Sequence, residues 1–224
     1  MHRSPETDTV TDELDALDLA HKERRIDVAS ALLLSVATVL AAWSAFQSAK
    51  WSGEQATAYA EASGLRQESV RQSTLAGQQT IIDVSVFEQF VDAYAVGDRA
   101  LQNFYRDRAR EEFRPALEAW IAQARDDIEA APSTPFVMPE YVREAEVESL
   151  DLQRQAESRF QDALDNNQRS DNYVLLAVLF ASVLLFAGLA PKSRSYQIQV
   201  AMIGLAIVVL LVGGGFLIAF PKTI

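Results

Sequence analysis

The sequence predicts an all-α membrane protein with three transmembrane helices and an extramembrane helical domain between the first and second. Three observations predict it. Apolar stretches at 28–49, 173–190 and 198–220 contain no charged side chain. Each comes close to the roughly 20 helical residues that cross a hydrocarbon core of about 30 Å. The polar stretch between the first two, 50–172, spaces its apolar residues as helices do and lacks strand-like alternation or an Asn-Gly hairpin. Lipid offers backbone amides no partners, so the apolar stretches must be helices.

Residues 1–27 form an acidic tail with four Lys/Arg and eight Asp/Glu. It is expected to be disordered, with a weak helix hinted by Leu14, Leu17 and Leu19, and to become helical near His21. His21-Lys22-Glu23-Arg24-Arg25 abuts the first span, and Lys192 and Arg194 lie in the turn 191–197. Only Lys50 stands just beyond the first span. The positive-inside rule therefore places the tail and the turn in the cytoplasm, with 50–172 and the short end 221–224 outside it. The long polar lead and the absence of a small-x-small site before Lys50-Trp51 favour a retained anchor over a cleaved signal.

In the first span, Ala37, Ala41, Ala45, Ala49 and Gly53 recur every four residues, beside a row holding Ser44, Ser48 and Ser52. Two adjacent rows of small side chains predict a packing strip for another helix. The rows continue past Lys50, so the helix is expected to run on as a stalk, with Gly53 a potential bend. Lys50 and Trp51 fit an interfacial anchor, and Lys50 is expected to pair with Asp171. Gln47, with Ser44 and Ser48, is the most polar group of the spans. It is expected to bond a neighbouring helix or, in a ring of subunits, to line a pore.

Ile82, Val86, Phe90 and Tyr94 form the next stripe, ended at Gly97-Asp98. Leu101, Phe104, Tyr105, Ala109 and Phe113 predict a second helix, and Pro115 the first turn of a third with Leu117, Trp120, Ile121, Ala124 and Ile128 inward. Three prolines make 131–139 a loop. From Glu140 to Asn172 there is neither Gly nor Pro, and Tyr141, Ala145, Leu152, Ala156, Phe160 and Ala163 form a thin seam. One long helix is expected there, antiparallel to the extension of the first and continuous with the second span. Gly204 and the triplet 213–215 in the third span allow either close helix contact or local flexing. No C-terminal domain is expected.

The chain has no Cys, which removes disulfides and thiolate chemistry. His2 and His21 have no metal-ligand partner at helical spacing, and no phosphate loop or nucleophile elbow occurs. No cofactor, metal or catalytic residue is expected. The net charge is −11, and 51–172 alone carries 12 Arg against 23 acids, which disfavours nucleic acid as a partner. Glu144, Glu148 and Asp151 share a helix face but lack the loop of a calcium site. An enzyme would need them to converge with other carboxylates. Spans without charge argue against ion coupling in the membrane.

Ala42-Trp43-Ser44-Ala45-Phe46-Gln47-Ser48-Ala49-Lys50-Trp51-Ser52-Gly53-Glu54-Gln55-Ala56 resembles a signature of uncharacterised bacterial membrane proteins. So do Asn167-Gln168-Arg169-Ser170-Asp171-Asn172-Tyr173-Val174-Leu175 and Phe113-Arg114-Pro115-Ala116-Leu117-Glu118-Ala119-Trp120. The resemblance implies one anchor, an extracytoplasmic helical domain, a terminal hairpin and the bacterial inner membrane, with no activity or catalytic residue. The first two segments straddle the expected outer interface, where Gln47, Lys50 and Trp51 are expected to meet Arg169, Asp171 and Tyr173. The expected role is an envelope scaffold or interaction protein whose partners are the bilayer and a second copy or another envelope protein. The alternative is a subunit of an oligomeric channel or transport component.

Overall fold

Helix breakers set the element order. A computed structural model describes residues 5–129 and 131–223, with side chains from His21 onward. It comprises α1 (Pro5–Ala95), α2 (Arg99–Arg108), α3 (Arg114–Asp126), α4 (Glu144–Leu189) and α5 (Tyr196–Ala219), with single 3-10 turns at Pro135–Val137 and Ala190–Lys192. No strand occurs among the described residues.

α1 starts at Pro5, where the sequence suggests a disordered tail. Proline suits a first helical turn, and no Gly or further Pro follows before Gly53. The side chains of His2, Leu14, Leu17 and Leu19 lie outside the described residues. Gly53 does not interrupt the helix, because the backbone on both sides keeps its helical pairing. α1 stops at Gly97, whose φ of +73° suits glycine and disfavours other residues. Asp98 then caps α2 by accepting the Leu101 N–H at 3.0 Å.

α2 ends at Arg108, short of the expected Phe113. Ala109 adopts ψ 138°, which turns Arg110 back toward α1, while Pro115 opens α3. Ile128 is 54% exposed beyond the end of α3, not inward as expected. α4 starts at Glu144, so Tyr141 belongs to the loop. Its N–H bonds Met138 O at 3.0 Å, and its ring packs edge-on to Phe113 and Phe136.

The chain divides into two units, 1–57 with 162–224, and 58–161, and α1 and α4 contribute to both. In the second unit α1 and α4 run antiparallel. Tyr59 meets Phe160, Glu61 pairs with Arg159 at 3.3 Å, and Ser69 and Ser149 bond each other's backbone carbonyls at 2.9 Å. The seam is thin because it consists of Ala58, Ala62, Ala76, Ala145 and Ala156. Bulk is concentrated where α2 and α3 join. Phe87, Phe90, Phe113, Leu117, Trp120, Ile121 and Met138 form one core, and the Trp120 indole N–H donates to Pro132 O at 2.7 Å.

The first unit packs the apolar parts of α1, α4 and α5. Two clusters hold it: Leu33, Ala37, Val183, Ala187, Ile203 and Ala206, and Trp51, Tyr173, Leu176, Phe180 and Leu217. Only 22%, 33% and 22% of the apolar windows of α1, α4 and α5 are buried inside the protein. Leu32, Val39, Leu175, Leu211 and Ile218 are 63–79% exposed. Exposed apolar area costs about 25 cal/mol per Å² in water and nothing comparable in hydrocarbon. Each of the three helices is long and apolar enough to cross a bilayer, and their outer faces call for lipid.

The small-residue strip on α1 is only partly a packing face. Ala37 and Ser44 are buried and Ala41 and Ser48 half-buried, but Ala45, Ala49, Ser52 and Gly53 are exposed. A four-residue repeat drifts about 40° per step around a helix of 3.6 residues per turn, so a row of five leaves the contact. The buried positions alternate spacings of three and four instead: Ile26, Ser30, Leu33, Ala37, then Ser44, Gln47 and Trp51. That is the register of a coiled-coil-like seam.

Candidate functional site: a polar clasp on the apolar bundle

Polar side chains within apolar helices mark where hydrocarbon cannot satisfy them and protein must. Gln47 is the largest of these on α1 and is fully buried. Its Nε2 donates to Thr223 O at 3.0 Å, and its Oε1 accepts the Thr223 N–H at 3.1 Å. One amide thus matches both polar groups of one residue, as a β-ladder pair would. At the next residue of α1, Ser170 Oγ donates to Ser48 O at 3.0 Å, and the two serine oxygens also lie 3.0 Å apart. The Tyr173 hydroxyl, on a fully buried ring, donates to Pro221 O at 2.9 Å. Phe220 packs edge-on to Tyr173 at 5.9 Å between centroids. Together these bonds tie α1, the start of the apolar part of α4 and the segment after α5 at one end of the bundle.

Of the residues expected at the outer contact, Gln47, Trp51, Arg169 and Tyr173 all take part. The Arg169 guanidinium lies 4.7 Å from the centre of the Trp51 ring. Two expectations are corrected. Lys50 and Asp171 form no ion pair among the described residues. Asp171 is exposed and accepts from Asn167 at 3.3 Å, one turn back on its own helix, where the pairing costs less ordering of side chains. Trp51 is not an interfacial anchor facing headgroups, because the seam register turns it inward against Tyr173 and Phe180. Trp43 and Phe46 occupy the outward face, at 42% and 49% exposure.

Pro221 and Thr223 are absent from the sequence reading of this contact. They act through backbone groups, which every residue carries, so no side-chain signal marks them. We expect Gln47→Leu to lose about 1–3 kcal/mol, two bonds from α1 to the segment after α5 at about 0.6–1.7 each, as an earlier thermal transition in detergent. Gln47→Glu, which keeps one acceptor, loses the donor bond to Thr223 O and should behave no better.

The second unit holds a further polar group. Asp83, whose side chain is 1% exposed, accepts from Arg110 Nε at 3.2 Å and from the Tyr141 hydroxyl at 3.1 Å. Arg110 also bonds Glu112. Burial pushes the Asp83 carboxyl above its ordinary value, opposed by Arg110 and Tyr141. Burial likewise raises the Tyr141 phenol. The sequence does show a sign of this group: Asp83 occupies an inward seam position between Ala76 and Phe87.

The acids expected to matter if the chain were an enzyme, Glu144, Glu148 and Asp151, share one groove, but no other carboxylate lines it with them. Glu144 joins Glu111, Glu112, Arg110 and Gln79 around an open cavity of about 610 Å³. Glu144 also lines a separate groove with Glu148 and Asp151, beside Val142, Val147 and Arg154. Arg154 binds Asp151 at 2.7 Å and holds its carboxyl below the usual range. Among the described residues, no three His or acidic side chains come together as a metal site. Comparison with known proteins gives no matching family model, no matching curated protein and no matching solved structure.

Proposed function

We propose that the protein is a non-enzymatic scaffold or interaction protein of a bacterial envelope, anchored in the inner membrane with its N-terminus in the cytoplasm. The observation that carries this reading is the two-bond pairing of Gln47 with Thr223. The channel alternative needs Gln47, Ser44 or Ser48 to face a wet lumen. Here Gln47 is bonded within the chain, Ser44 Oγ donates to Leu40 O at 2.8 Å, and Ser48 bonds Ser170. Gln47 and Ser48 thus hold the bundle together, and Ser44 is satisfied within its own helix. Orientation is supported by the two basic clusters sharing one end: Lys22 lies over the Tyr196 ring at 5.9 Å, and Arg194 shares a cavity with Glu23.

A partner surface on the second unit is supported by Val142 and Val147, which line two grooves, one of them with Phe136, and are 52% and 59% exposed. The test combines bilayer recording of the purified protein with a photo-crosslinking side chain at Val147 in native membranes. Electrical silence with one discrete adduct, to a second copy or another envelope protein, supports the reading. Unitary currents, or no adduct, oppose it.

A further inference from the structure

At the end of the bundle away from the clasp, the 3-10 turn Ala190–Lys192 and the start of α5 meet α1. A cavity of about 390 Å³ lies there, lined by Glu23 and Asp27 of α1, Ser193 and Arg194 of the turn, and Tyr196 and Gln199 of α5. Gln199 is 8% exposed, and its Nε2 donates to Ser193 O at 2.8 Å. Its Oε1 is buried with no hydrogen-bond partner. Turning the amide over does not relieve this, because Ser193 O only accepts, and one orientation would face oxygen to oxygen. Ser30 Oγ, one turn beyond Asp27 on α1, is also buried without a partner. A buried acceptor left unpaired costs about 1–3 kcal/mol, so Gln199 gains by turning its amide oxygen toward a donor placed in the cavity it lines.

The chemistry of the lining says which donor. Two carboxylates and an amide oxygen suit an ammonium bearing N–H groups, while Arg194 suits a phosphate on the same molecule. The cavity sits where the apolar part of α1 begins, and Val28 and Leu32 just beyond it are 54% and 63% exposed. That is headgroup level with apolar side chains positioned for acyl chains. We propose that this cavity binds the headgroup of an aminophospholipid, its primary ammonium donating to Gln199 Oε1 and the Asp27 and Glu23 carboxylates and its phosphate meeting Arg194.

The full chain in detergent is titrated with phosphatidylethanolamine and with phosphatidylcholine, and bound lipid is counted by native mass spectrometry. The two lipids share the phosphate and net charge, but the choline nitrogen has no N–H. The expected preference for phosphatidylethanolamine is about tenfold or more, the ratio one hydrogen bond to a charged group supplies. Gln199→Leu should abolish the preference, and Asp27→Asn should reduce it. Equal binding of both lipids, or a preference that survives Gln199→Leu, overturns the proposal. Soluble phosphoethanolamine is the third arm. If it competes at concentrations equal to the lipid, the site takes a free amine and the lipid assignment falls.

Discussion

Asp83→Ala will loosen the second unit by about 3 kcal/mol, the lower end of the cost of removing one partner from a buried ion pair. The lower end applies because Arg110 keeps Glu112 and is partly exposed. Tyr141 loses its acceptor at the same time, although Thr80 Oγ1 remains within 3.5 Å. The two units need not unfold together, so one melting temperature is the wrong readout. Hydrogen exchange of α3 amides in the detergent-solubilised full chain is the right one. We expect their protection to fall while that of α5 stays unchanged. Asp83→Asn should cost less, because the amide oxygen still accepts from Tyr141. The pH dependence has a definite sign. Since the folded carboxyl lies above its ordinary value of 3.8, the native unit binds the proton more readily than the unfolded chain. Stability relative to Asp83→Asn should therefore rise as pH falls through the folded value toward 3.8, and be lowest above that window.

Gly213→Val is expected to spread α4 from α5, whereas Gly214→Ala and Gly215→Ala are not. A Cβ at Gly213 would lie 2.9 Å from Phe180 Cε1 and 3.2 Å from Cζ. Phe180 is fully buried, so its ring has little room to retreat. A Cβ at Gly214 or Gly215 meets nothing within 4 Å. Overpacking of this kind costs about 1–3 kcal/mol, and valine adds two methyls to that first clash. The measurement is thermal unfolding in detergent followed by α5-specific proteolysis. Pairing Gly213→Val with Phe180→Leu should recover much of the loss, since the two side chains compete for one space. Equal losses at all three glycines would instead indicate a helix-propensity effect.

The triplet illustrates what the sequence does and does not carry. Three glycines in an apolar helix announce close contact or flexing, but which one touches depends on a partner ring 33 positions away. Helix type and span number were legible because charge-free length and three-four spacing are local properties. Helix ends were legible where a chemical marker stood: Gly97-Asp98 and Pro115 act on their own backbone. The end of α2 was not, because Ala109 leaves the helix to bring Arg110 to Asp83, a tertiary demand. The clasp was half legible. Gln47, Trp51, Arg169 and Tyr173 stood out as polar or aromatic groups at span ends. Their real partners, the backbone of Pro221 and Thr223, carry no side-chain signature. The small-residue strip shares a residue type without sharing a face, because its four-residue period drifts around the helix.

The central claim is that α1, α4 and α5 each cross the bilayer. The chain contains no cysteine, so single cysteines placed at Ser63 and Ser193 report unambiguously in sealed vesicles. Three crossings require the two positions to face opposite sides: one reacts with an impermeant maleimide at once, the other only after the vesicles are opened. Reaction of both from the same side, or recovery of the polypeptide in plain buffer without detergent or lipid, would contradict the account.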